Sequence, residues 1–156
     1  TDASLHSNLI FNVREKMKLL MAVDGSSYTK KALAFLVTHE GLCGPSDELL
    51  VLNVQAPIPG RVKRMVGAAT VNDYLADEAG KVLKPIERFL AKHKIKYKAI
   101  WVIGSVASEV LNATRREKVH MIVMDTHGHG LLGRAVMGSV AQRVLTDAEV
   151  PVLLVK

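Results

Sequence analysis

The residues best suited to chemistry are Gly128, Gly130, Gly133 and Gly138, with Ser139 directly after the last of them, set between the apolar run HMIVM at 120 to 124 and a helical pattern. Glycine lets the main chain approach a ligand with no Cβ in the way, and takes positive φ at little cost. Ser139 then offers a hydroxyl and an amide at the start of a helix, where unpaired N–H groups and the macrodipole favour an anion. Such a segment is shaped to hold phosphates, and a nucleotide is its natural occupant, although glycines after a strand also serve turns alone. GHGLLG, residues 128 to 133, spells the G-x-G-x-x-G of dinucleotide enzymes in the wrong context. That motif follows the first strand of a βαβ unit and is answered by an acidic residue about 20 positions on. Leu153 stands there, inside an apolar run. No G-x-x-x-x-G-K-[ST] phosphate loop occurs either.

Catalytic constellations are harder to find, and no catalytic residue is assigned. Without a G-x-S-x-G elbow, Ser26, Ser105 and Ser139 read as helix caps or phosphate donors rather than nucleophiles. His127 and His129 form an H-x-H pair, but no cysteine or second carboxylate cluster accompanies it, so no metal site is assigned. Asp24 and Lys156 suggest a phospho-receiver, yet the third apolar run ends in WVIGS with no acceptor aspartate. The single cysteine, Cys43, reads as an apolar filler; it excludes an internal disulfide and suits a reducing cytosol.

The elements that must position these residues follow a regular rhythm. KLLMAV (18 to 23), ELLVLNV (48 to 54), YKAIWVI (97 to 103), HMIVM (120 to 124) and VPVLLV (150 to 155) read as strands buried on both faces. Between them, Tyr28, Ala32, Phe35 and Leu36 share a helix face, as do Val71, Leu75, Val82, Ile86 and Phe89. So do Val106, Val110 and Leu111, with Ser105 as N-cap, and Val136, Val140 and Val144. This alternation predicts an α/β fold: a parallel sheet, right-handed crossovers and helices on both faces. Ligands of such sheets bind beyond the carboxyl ends of the strands, at the switch point. Asp24 and the glycine turn both fall there.

Residues 55 to 70, QAPIPGRVKRMVGAAT, break the rhythm and read as a mobile loop over the strand ends, with Arg61, Lys63 and Arg64 as solvated surface charge in preference to groups that could close on phosphates. At 156 residues and 49% hydrophobic, the chain forms one globular domain, with residues 1 to 16 as an N-terminal extension and 17 to 156 as the folded unit. No apolar run is long enough to span a membrane. The net charge of +6 comes from scattered residues; the densest groups, RVKR and KHKIKYK, hold a single tyrosine and lack the run of interleaved aromatics of a stacking platform. They argue against a nucleic-acid partner and for a general attraction to anions.

AVDGS at 22 to 26, LNV at 52 to 54, VMDTHG at 123 to 128 and GSVAQRVL at 138 to 145, followed by PVLLV, together resemble the universal stress protein family. The resemblance covers residues 17 to 156, and its four segments match in order. It implies a five-stranded parallel sheet of order 3-2-1-4-5, usually in a homodimer, and, as in many members, ATP or a related adenine nucleotide with or without Mg²⁺. The apolar run VPVLLV, at a sheet edge in that order, predicts that the dimer joins through the last strand, and a cytoplasmic location is expected. Carried over by motif, Ala22 and Asp24 fall beside the adenine, and the backbone of Val54 reads its edge. Met124, Thr126, His127 and Gly128 surround the ribose and phosphates, and Gly138, Ser139 and Val140 open the phosphate-binding helix.

ATP-binding members read G-x2-G-x9-G-[ST] at this turn. This sequence reads D-x2-G-x9-G-S, with Asp125 in place of the first glycine, which adds a Cβ, a negative charge and, where positive φ is required, backbone strain. Two functions are therefore expected in competition. One is a stress-response nucleotide-binding module whose partner affinity depends on the bound nucleotide, with hydrolysis slow or incidental. The other is a dimeric scaffold that has lost its ligand through Asp125.

Overall fold

The computed structural model describes residues 15–39, 41–126 and 137–156. In chain order these form β1 (Lys18–Ala22), α1 (Ser27–Thr38), β2 (Glu48–Gln55), α2 (Gly60–Val66), α3 (Ala68–Lys92), β3 (Tyr97–Ile103), α4 (Val106–Arg116), β4 (Met121–Asp125), α5 (Ser139–Asp147) and β5 (Val152–Val155). The strands pair in parallel as β3-β2-β1-β4-β5.

The inner strands are apolar at consecutive positions because both their faces are covered. Leu19, Met21, Leu49, Val51 and Val123 point to one side and pack with Ala32, Leu33 and Leu36 of α1 and Leu83, Ile86 and Leu90 of α3. Leu20, Leu50, Leu52, Ile122 and Met124 point to the other, against Ala107, Val110 and Ala113 of α4 and Ala141 and Val144 of α5. Each fully buried leucine, isoleucine or valine contributes about 1.5–3 kcal/mol relative to exposure. Most of the stability therefore lies in β1, β2 and β4. The edge strands differ from the expectation of burial on both faces: β5 is half-buried along its length and β3 mostly so, because each lacks a neighbour on one side.

Residues 55 to 70 are a second departure. Gly60 to Val66 is helical, and α3 begins at Ala68, so the proline and glycine signals mark helix ends rather than a loop. Pro59 precedes the first turn of α2, where its missing N–H costs nothing, and Gly67, at φ +92°, separates the two helices.

The helix faces are mostly those expected. In α1, Thr29 and Leu33 join Ala32 and Leu36 on the buried face, while Tyr28 and Phe35 are half-buried at its margin, with Phe35 stacked on His39 at 4.1 Å. In α3, Val71, Leu75 and Ile86 are buried, and Val82 and Phe89 pack against the core cluster that includes Ile86. Val110 and Leu111 are buried in α4, whereas Val106 is exposed. Val144 is buried in α5 and Val140 half-buried; Val136 lies outside the described residues. Ser105 is the N-cap of α4, though its side chain makes no capping hydrogen bond.

Candidate functional site

At the carboxyl end of β1 the chain is fixed to β2 beyond the last strand pair. The Val23 amide donates to the Leu52 carbonyl at 2.9 Å, and the Val23 carbonyl accepts from the Asn53 side-chain amide at 2.9 Å. Asn53 is buried, and a buried amide needs partners; its Oδ1 accepts from Gln55 Nε2 at 2.7 Å. The next residues make a sharp turn into α1. Asp24 Oδ1 accepts from the Ser26 amide and from Thr29 Oγ1, both at 2.9 Å, and Ser26 Oγ caps α1 by accepting from the Thr29 amide at 3.4 Å. Gly25 lies at φ +78°, a backbone conformation that favours glycine at this turn. The AVDGS motif is thus a turn fixed by hydrogen bonds, with Asp24 at its centre.

At the carboxyl end of β4, Asp125 is still in the strand, aligned with Val155 of β5, and half-buried. Among the described non-glycine residues only Lys94 and Lys118 have positive φ, so the backbone strain expected at Asp125 is absent. The carbonyl of Thr126 accepts from the Gly138 amide at 3.2 Å, which fixes the start of α5 beside the end of β4. Gly138 is the N-cap of α5 at φ −59°, ψ 151°, so it does not use the conformational freedom anticipated for it. As glycine it brings no side chain to satisfy the first amides of the helix.

These ends enclose a cleft of about 140 Å³ lined by Ala22, Val23 and Asp24 of the β1 turn, Leu52 and Val54 of β2, Val106 of α4, Met124 and Asp125 of β4, and Val140 and Ala141 of α5. It lies where the strand order reverses, with β1 between β2 and β4. Apart from Asp24 and Asp125 the lining is apolar. The volume is below the roughly 300 Å³ of a site for a drug-sized ligand. An apolar slot of this size suits one flat group, with the two carboxylates as acceptors beside it.

Of the residues singled out in the sequence, Ala22, Asp24, Val54, Met124, Asp125 and Val140 come together in this one cleft. Thr126, Gly138 and Ser139 adjoin it in sequence without lining it. His127, Gly128, His129, Gly130 and Gly133 lie outside the described residues. Arg61, Lys63 and Arg64 are exposed on α2 and do not line the cleft. Val23, Leu52, Val106 and Ala141 were not anticipated; as small apolar residues in strand and helix patterns they look the same as core. No group of three or more potential metal ligands occurs among the described residues.

The model for the universal stress protein family matches residues 16–156. A Thermus aquaticus protein, described as universal stress protein in QAH/OAS sulfhydrylase 3′ region, is 30% identical over 139 residues, spanning 88% of this chain and 97% of that one. Among solved structures, MJ0577 of Methanocaldococcus jannaschii superimposes with a TM-score of 0.75 at 27% identity, over 89% of this chain and 94% of that one. Two more distant structures, sharing the fold, carry nucleotides. A family protein from Arabidopsis thaliana has AMP bound (TM-score 0.66, 18% identity, 90% and 91% coverage), and one from Archaeoglobus fulgidus is in complex with dAMP (TM-score 0.63, 22%, 90% and 98%).

Proposed function

We propose that this chain, which belongs to the universal stress protein family, binds an adenine nucleotide in the cleft between β1 and β4 and acts as a dimeric stress-response regulatory module. The observation that carries this reading is the convergence of Ala22, Asp24, Val54, Met124, Asp125 and Val140, from separate sequence segments, on one cleft at the switch point of the sheet. AMP and dAMP in the two distant structures support an adenine base as occupant.

The apolar walls would take the base, with the main chain of Val54 and the carboxylate of Asp24 as polar partners. Thr126 and Asp125 flank the path of the sugar. The first amides of α5, at Ser139 and Val140, would meet the phosphates, aided by the helix dipole. ATP or a related nucleotide is the ligand in this reading, and Mg²⁺ would arrive with the phosphates. In this reading the nucleotide serves as a signal whose occupancy changes affinity for a partner, with hydrolysis slow or incidental.

A second reading rests on Asp125. Its carboxylate on the cleft wall opposes an anionic ligand and favours a scaffold that works without one. Mass spectrometry of small molecules released from the purified protein separates the two: an adenine nucleotide supports binding, and protein that carries none and gives no heat with ATP supports the scaffold. In the same calorimeter Gly138→Val is expected to weaken ATP at least tenfold, about 1.4 kcal/mol, while the protein stays folded. The backbone at Gly138 accommodates a branched residue, so the effect is one of space beside the α5 amides. Equal affinity in the folded variant would contradict the assignment of the phosphate end.

A further inference from the structure

We propose that α2 is a docking surface for a protein partner that presents an acidic amphipathic helix. This stands whether or not the cleft binds a nucleotide. A seven-residue helix is too short to be stable alone and is normally held by an apolar face packed on the body of the protein. None of the α2 residues is buried. Val62, Met65 and Val66 occupy i, i+3 and i+4, the spacing by which a helix engages a partner, and are 42%, 76% and 49% exposed. With Tyr74, 55% exposed in the second turn of α3, they supply four of the seven exposed large apolar side chains among the described residues, within a span of thirteen residues.

Charge identifies the occupant. Residues 56 to 72 hold Arg61, Lys63 and Arg64 and no aspartate or glutamate. No ion pair within the described residues engages these three, unlike Lys16–Glu48, Lys81–Asp77, Arg115–Glu149 and Arg143–Asp147, and they stand together on one exposed helix. A complementary surface therefore carries carboxylates around an apolar stripe. A second copy of α2 is disfavoured by like charge. An anionic bilayer is disfavoured because the helix, about 10 Å long, buries too little to serve as an interfacial anchor. Methionine, tyrosine and arginine are also the residue types enriched where proteins meet.

The test uses a fluorescent synthetic helix with leucine at i, i+3, i+4 and i+7 and glutamate elsewhere, its lysine counterpart, and phosphatidylglycerol vesicles. The glutamate peptide is expected to bind saturably and more weakly as salt rises. Met65→Glu should reduce its affinity at least tenfold, with melting temperature and nucleotide titration unchanged. The double variant Arg61→Glu, Arg64→Glu should reverse the preference to the lysine peptide. No binding of the glutamate peptide, binding indifferent to these substitutions, or binding to vesicles in its place would each overturn the proposal.

Discussion

Asp125 sets a carboxylate on the wall of a cleft whose proposed occupant is an anion. If a phosphate oxygen lies about 5 Å away, unit charges at an effective dielectric near 20 repel by roughly 3 kcal/mol before salt and relaxation reduce it. Because Asp125 is within β4 and carries no positive φ, backbone strain adds nothing to the expected penalty. Asp125→Asn, which keeps the shape and removes the charge, should therefore tighten ATP about tenfold or more and leave adenosine unchanged. If adenosine weakens instead, the carboxylate holds the ribose hydroxyls, as an acidic residue does in dinucleotide folds. Titrating both ligands into wild type and variant decides between them. Asp24 was legible from its motif because a polar residue at the end of an apolar run is conspicuous. Asn53 was not, since its tie to the Val23 carbonyl depends on which strand lies beside β2.

Helices and strands were legible where burial leaves a pattern, the continuous apolar run of β2 and the helical period of α3, and illegible where punctuation was the only signal, as in residues 55 to 70. Pro59, Gly60 and Gly67 have the same letters whether they end a helix or fill a loop. The amino ends of the strands, opposite the cleft, are joined by charge. Glu48 pairs with Lys16, and Glu117 gathers Lys98, Lys18 and Arg116. Hydrogen bonds from Lys16 and from Lys98 hold the two carboxyls below their ordinary range. A carboxyl lowered in this way contributes stability that is complete above its unfolded pKa and is lost as pH falls through its folded one. Urea midpoints should accordingly fall on acidification from neutral pH through the carboxylate range. Glu117→Gln should lower the midpoint at pH 7 by the equivalent of less than about 1 kcal/mol, because its lysine partners are partly exposed, and should flatten the acid decline. An unchanged profile in the variant would show that Glu117 contributes nothing to it.

At the scale of the molecule, alternating apolar strands and amphipathic helices made a parallel α/β sheet legible. The order 3-2-1-4-5 came from the family resemblance, since parallel pairing leaves no local mark of which strand lies beside which. That order places β5 at an edge with Val152–Val155 half-buried. An apolar edge strand with unpaired N–H and C=O groups favours pairing with another strand, which motivates the proposed homodimer through β5. Light scattering at micromolar concentration should give twice the chain mass of 17.0 kDa; the monomer mass would refute it. The central claim, that the cleft between β1 and β4 receives an adenine nucleotide, is tested most directly by titrating AMP into the isotopically labelled protein and following backbone amides by NMR. The account predicts saturable shifts centred on Ala22, Asp24, Val54, Met124 and Val140. Shifts centred elsewhere, or none at millimolar AMP, would contradict it.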